Sequence, residues 1–331
     1  MATALDADPA ADAAVAQPGT GDRCDVGVLD PAQPPRNLQL SGNLGAHDPV
    51  IIAAGGLYRY FSTGNGISVK TSPDLLRWTQ QPEVFPSTPA WFQQSVPAYE
   101  PRNIWAPDIS YFAGQYHLYY SVSSFGSNRS CIGHATRAEL DAGSWSDHGP
   151  VLCSNPPGQS DNFNAIDPNV ILDEGGTPWL AFGSFWSGIQ LTQLDTNGER
   201  AGTQLYPLAS RGGGAIEGPF LVRRCGYYYL FVSFDACCRG ADSTYNLRVG
   251  RSRELLGPYL DRAGTALLNG GGTLLLSGDA DWAGPGHNAV LFDGSRAFNV
   301  YHAYATTNGA SQLRISELAW DAEGWPVSGG P

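Results

Sequence analysis

Five times along this chain a polar residue opens a short apolar run, a tight turn follows, and an aromatic-rich second run comes after it. The openings are His47-Asp-Pro-Val-Ile-Ile, Ala106-Pro-Asp-Ile-Ser-Tyr, Ile166-Asp-Pro-Asn-Val-Ile, Ile216-Glu-Gly-Pro-Phe-Leu and Gly286-His-Asn-Ala-Val-Leu. The second runs begin at Leu57, Tyr116, Trp179, Tyr228 and Phe298, after turns holding Gly55-Gly56, Gly114, Gly175-Gly176, Gly226 and Asp293-Gly294. Glycine pairs and Asp-Gly between apolar runs punctuate β-hairpins. Aligned by eye on Asp48, Asp108, Asp167, Glu217 and His287, the copies are spaced by 60, 59, 50 and 70 residues. Repeats of that length, each able to hold several short strands, describe the blades of a propeller. With 41 Gly and 24 Pro and no sustained helical period, the expected fold is all-β, a five-bladed β-propeller over residues 43–331, preceded by a partly disordered tail over 1–42.

The first strand of each propeller blade lines a central channel, so the repeat gathers its polar heads at one channel mouth. Three heads share a setting: Asp48-Pro49, Asp167-Pro168 and Glu217-Gly218-Pro219. A single Asp-Pro can simply cap a turn. Three acids in phase repel one another, which costs stability unless their separated pKa values are put to use as acid and base.

Composition narrows the class further. Lys and Arg number 19 against 31 Asp and Glu, a net charge of −12. Without a basic footprint, nucleic acid is excluded as a partner. No apolar run approaches the ~18 residues of a membrane span. The Ala-rich start carries Asp6, Asp8 and Asp12 and no apolar core, so it does not read as a signal peptide. Met1 is the only methionine, and six cysteines form no zinc-type spacing. We expect a mature secreted protein, monomeric and disulfide-bonded. Adjacent Cys237 and Cys238 either bond to each other or take separate partners.

Several stretches carry a specific resemblance: HDPVII with GISVKTSPDLLRW, NIWAPDISYFAGQYHLYYSVSSFGSNRS, NAIDPNVILDEGGTPWLAFGSFWSGI, AIEGPF, STYNLRVGRSRELLGPY and GPGHNAVLFD. From about residue 43 to 322 the chain resembles glycoside hydrolase family 43, and GSFWSGI and STY…VGRS resemble its arabinanase branch. The resemblance implies a five-bladed propeller and inverting hydrolysis of internal α-1,5-L-arabinofuranosidic bonds in arabinan. Asp48 then matches the general base, Glu217 the general acid, and Asp167 the third acid that tunes Glu217 and orients the sugar. An inverting pair stands roughly 6.5–9.5 Å apart with water between. His287 is similar to the family's channel histidine, which holds a mostly water-coordinated cation, most often calcium. By matching motif, Trp105, Asn164, Ser184, Phe185 and His302 are expected to bind sugar. Trp78, Trp145 and Trp282 read as packing between blades, and Trp186 as either core or cleft. Asp108 is left outside the catalytic set.

Three rival readings remain. An exo-acting enzyme of the same fold differs only in how the cleft ends. A fructan-cleaving propeller carries its third acid in a Glu-Cys context, whereas Gly218-Pro219 follows Glu217 here. A carbohydrate-binding propeller without catalysis needs aromatic platforms but no trio of acids.

Overall fold

In the computed structural model, which describes residues 22–156 and 158–331, the chain forms five antiparallel sheets of four or five strands. Their inner strands are Val50–Ala54, Asn103–Phe112, Asn169–Leu172, Ile216–Arg224 and Trp282–Asp293. Each packs beside the next, and the fifth packs beside the first, which closes the ring. The second strands, Leu57–Ser62, Gln115–Val122, Pro178–Phe182, Tyr227–Phe234 and Arg296–Ala305, pair with them through the expected hairpins. The five-bladed propeller is therefore the observed fold.

These strands are buried on both faces because blades stack face to face, so they read as nearly continuous apolar runs rather than as alternation. Tyr227–Phe234 is buried from its second residue onward. Large side chains fill the wedges between blades: Trp78, Tyr60, Tyr120 and Phe92 in one cluster, Trp320, Tyr229 and Phe231 in another. Trp78 is 1% exposed and donates its indole N–H to the Leu75 carbonyl at 3.1 Å, in keeping with a packing role. Trp145 meets the Phe61 ring edge-on, while Trp282 is half-buried under the Arg314 guanidinium.

Within the expected tail, residues 1–21 lie outside the described residues, but 22–42 are placed. Val28 and Asn37 bridge to Trp320 and Ser316 in the third strand of blade five, and Gly45 bridges to Gln312 just beyond. Ser41–Gly42 then adds a parallel strand to the outer edge of blade one. The Cys24–Cys225 disulfide fastens the same segment to blade four. This segment joins the last blade to the first, so the folded unit begins well before residue 43. Cys131–Cys153 links two neighbouring strands of blade two, and Cys237 bonds to Cys238.

Candidate active site

Each inner strand has one residue in the left-handed backbone region that is followed by its run of buried apolar residues, two just before the strand, Asp48 (φ 50°) and Asp167 (φ 59°), and three within it, Ala106 (φ 42°), Gly218 (φ 58°) and His287 (φ 48°). These five are the structurally equivalent heads. Asp108 thus stands two residues past its head and Glu217 one residue before, a correction to the alignment by eye. The head N–H groups of Ala106, Asp167 and His287 are taken by hydroxyls of the preceding blade, from Thr63, Ser121 and Ser233. That of Gly218 is taken by Asp167 Oδ2 at 3.0 Å, and that of Asp48 by His302 Nδ1 at 3.1 Å. The strained turn is thereby satisfied, and it aims the head side chain into the channel mouth.

Asp108 is buried and accepts the Val170 N–H at 2.7 Å, tying blade two to blade three. Burial, opposed by those donated hydrogen bonds, pushes its pKa up to about 7. It does not line the cleft that holds the other acids.

Asp48 is ringed by donors. His47 Nδ1 and Thr63 Oγ1 lie 2.9 and 2.5 Å from Oδ2, and His287 Nδ1 lies 3.2 Å from Oδ1. Burial alone would raise its pKa, yet the charges of His47 and His287 and the hydrogen bond from His47 outweigh it, holding the carboxyl far below its usual range. His47 is pushed up in turn, because Asp48 more than offsets the opposing effect of burial. His302, expected to touch sugar, does not reach the cleft. It is fully buried, stacks on His47 with ring centroids 4.1 Å apart, and spends its Nδ1 lone pair on the Asp48 N–H.

Glu217 accepts from two hydroxyls, Ser184 Oγ at 2.7 Å and Tyr245. Burial raises its pKa, opposed by those two hydrogen bonds and reinforced by the charge of Asp48. Asp167 is pushed well above the usual carboxyl range by burial and then by Glu217 and Asp48, with the Gly218 N–H pulling the other way. Asp167 was expected to tune Glu217; the charge of Glu217 acts on Asp167 as well, and the two buried carboxyls titrate as a coupled pair. The site thus holds one carboxyl pushed toward ionisation and two pushed toward keeping the proton.

Close approach explains Gly286, where a Cβ would fall 1.9 Å from the Tyr245 ring. Gly286→Ala is expected to displace Tyr245 from Glu217 and to cost both activity and thermal midpoint. Differential scanning calorimetry beside an activity assay checks this, and an unchanged pair of values would contradict it.

The acids sit in a cleft of about 1440 Å³ that is also lined by Trp105, Asn164, Ser184, Phe185, Trp186 and His287. Phe125, 82% exposed on the same rim, was missed in the sequence, as were Thr63, His47 and Tyr245, although all of these but Thr63 stand inside quoted motifs. Trp186 lines the cleft and is half-buried. Asn164 is nearly buried and accepts the Ser130 hydroxyl at 2.7 Å.

The donor chemistry suits one cation ligand at His287. Its pKa is lowered by burial despite Asp48, so the ring is neutral, and Nδ1–H facing Asp48 leaves Nε2 as the lone-pair nitrogen. No hydrogen bond to that nitrogen occurs among the described residues. His47, Asp48 and His302 also cluster within ligating distance, but His47 Nδ1, both Asp48 oxygens and His302 Nδ1 are committed to the bonds just described.

Carboxyls pushed toward opposite ionisation states at the mouth of a propeller channel, in a cleft edged with aromatic rings, define a glycosidase. Known proteins agree. The profile of glycosyl hydrolases family 43 matches residues 42–326, and the chain belongs to that family. It is 47% identical over 287 residues to the extracellular endo-alpha-(1->5)-L-arabinanase 1 of Bacillus subtilis (strain 168), covering 85% of this chain and 86% of that one. The extracellular exo-alpha-(1->5)-L-arabinofuranosidase ArbA of Cellvibrio japonicus (strain Ueda107) is 41% identical, with 85% of each chain covered. The solved GH43 endo-arabinanase from Bacillus licheniformis superposes with a TM-score of 0.83 at 49% identity, over 88% of this chain and 99% of that one.

Proposed function

We propose that this protein is an inverting, endo-acting hydrolase of α-1,5-linked L-arabinan. The observation that carries the reading is that Asp48 and Glu217, in one cleft, are pushed in opposite directions, the first toward ionisation and the second toward keeping its proton. Asp48, held ionised, takes a proton from water as that water attacks the anomeric carbon. Glu217, held protonated, gives its proton to the departing glycosidic oxygen, and one displacement inverts the centre. Asp167 accepts the Gly218 N–H, which fixes the backbone next to Glu217, and it withholds the second ionisation. Trp105, Phe185 and Asn164 bind the chain of sugars, while Ser184 orients Glu217.

His287 would hold a cation, calcium by family resemblance, through Nε2; such an ion supplies positive charge that offsets the acids. Chelator dialysis is expected to lower activity without lowering the thermal midpoint, and full activity in a preparation shown ion-free by elemental analysis would leave His287 as a donor to Asp48 alone.

Incubation with debranched arabinan tests the function. Release of reducing ends with an early drop in viscosity is expected, and proton NMR should show the β-anomer first. Disaccharide or trisaccharide as sole early product would favour the exo reading, which the Cellvibrio relative keeps in view. The extracellular character of both relatives, given in their names, and the three disulfides support secretion. Among the described residues no helix is long and apolar enough to cross a membrane.

The coupled pair gives a pH prediction. Asp167→Asn keeps an acceptor for the Gly218 N–H but removes the partner that shares the ionisation. The pKa of Glu217 then falls, and because Glu217 acts while protonated, the alkaline limb of the kcat profile moves to lower pH. A limb that stayed in place would contradict the coupling.

A further inference from the structure

The Cys237–Cys238 disulfide has no role in the chemistry above, and its position is unusual. Both residues line the cleft that holds Asp48 and Glu217, on the loop after Tyr227–Phe234. Cys237 is half-buried and Cys238 exposed. A disulfide stabilises mainly by closing a chain loop, and the gain grows with loop length. Cys24–Cys225 spans 201 residues and Cys131–Cys153 spans 22, whereas this bond spans one. Stability therefore does not account for it.

Its surroundings hold it still. Cys238 lies in the left-handed region (φ 65°), and its N–H donates to Tyr304 Oη at 2.9 Å. Tyr304 Oη also meets His47 Nε2 at 2.9 Å, and Cys238 Sγ stands 3.7 Å from the same nitrogen. The Thr244 and Tyr245 N–H groups both close on the Ala236 carbonyl, and Arg239 N–H on Ser243 Oγ. Two bonded sulfurs on a fixed backbone present a polarisable surface with no proton to donate, one residue away from Asp48 through His47. Oxidised, neither sulfur is a thiolate, so metal ligation and nucleophilic chemistry are closed to them. Contact with the C–H face of a ligand remains.

We propose that the Cys237–Cys238 disulfide is a sugar-binding wall of the cleft, packing against the C–H face of an arabinofuranosyl unit on the Asp48 side. This rests on the arabinan reading above. A ring closed over two adjacent residues is as stiff as an aromatic platform, so little conformational freedom is lost when sugar binds.

The experiment compares the wild type with Cys237→Ala/Cys238→Ala and Cys237→Ser/Cys238→Ser double variants on debranched arabinan. KM is expected to rise about tenfold with kcat within about threefold and the thermal midpoint unmoved, the signature of lost uniform binding. An unchanged KM overturns the proposal, and so does a collapse of kcat at constant KM, which would mean that the bond acts only through His47. Should the variants misfold, a dithiol reductant gives a second route in the Cys24→Ser/Cys225→Ser background. The dithiol is oxidised to its cyclic disulfide while Cys237 and Cys238 each gain a proton and an electron, and Cys131–Cys153, with Cys131 buried and Cys153 half-buried, is less accessible than exposed Cys238. KM should then rise and return on reoxidation, and a constant KM overturns the proposal. Wild type without arabinan hydrolysis removes the functional reading itself, whereas an active wild type with unchanged variants removes this inference alone.

Discussion

Glu217→Gln and Asp48→Asn will each lower kcat on debranched arabinan by about a thousandfold, the usual scale for a positioned acid or base, but they will differ in stability. Glutamine at 217 keeps one acceptor oxygen, the hydroxyl that then faces its amide N–H can turn to accept, and the carboxyl removed is one that burial pushes toward its protonated form. Its thermal midpoint should stay at or above the wild-type value. Asparagine at 48 faces donors on both sides, since His47 and Thr63 point at one oxygen and His287 at the other. Whichever way its amide turns, one N–H meets another donor, and about 1–3 kcal/mol should be lost. Single-turnover rates and urea unfolding of both proteins check this. More than a few per cent of activity in either folded variant would remove that residue from its role.

A second large effect lies far from the cleft. In blade two, Phe112, His117, His134 and Tyr119 form a stack of parallel rings, with centroids 3.6, 5.2 and 4.7 Å apart in turn. His117 Nδ1 and His134 Nε2 are 3.0 Å apart, so one proton serves both, and a second would place two cations in contact. Burial pulls His117 down to about 4 and His134 to about 3, aided by repulsion from His148 and, for His134, from His117. Glu199 faces His134 at 3.3 Å and offsets this only in part. Between the unfolded value near 6.5 and these depressed values, the unfolded chain binds more protons than the folded one. Stability therefore falls as pH drops from about 6.5 to 4, by on the order of 3 kcal/mol from His117 alone. Asp108 gains stability over this window, whereas Asp48, lowered from 3.8, loses it only at more acid pH, so a variant isolates the stack. His134→Gln should flatten the pH dependence of unfolding free energy between pH 7 and pH 4. An unchanged slope would show that the stack protonates without cost.

The number of blades, the hairpins and the acidic mouth were legible because burial on both faces writes apolar runs, and turns demand glycine. Phase was harder. Aligning on acids put Asp108 and Glu217 at the heads, whereas the backbone repeats on a left-handed residue that no single side chain announces. The following proline was the better signal: Pro49, Pro107, Pro168 and Pro219 each come directly after a head, and only Asn288 breaks the series. His302 was misread for a related reason. Its motif placed it near the site, but whether it faces sugar or lies beneath depends on the His47 ring stacked upon it from another blade. Residues 22–42 lack a repeat because they form no blade, so their grip on blade five had no pattern to reveal it. The pairing of Cys237 with Cys238 stayed open in the sequence, since six cysteines admit many partners.

The junction between the first and last blades also sets when the enzyme comes into being. Asp48 takes the acceptor for its N–H from a histidine 254 residues further on, and His287 comes from the same late blade. Contacts so distant in sequence form late, because the long loop between them must be closed first. Until blade five is made and seated, Asp48 lacks two of its three histidines and keeps only His47 and Thr63 as side-chain donors. Four finished blades are thus a silent precursor, and synthesis of about the last seventh of the chain switches catalysis on.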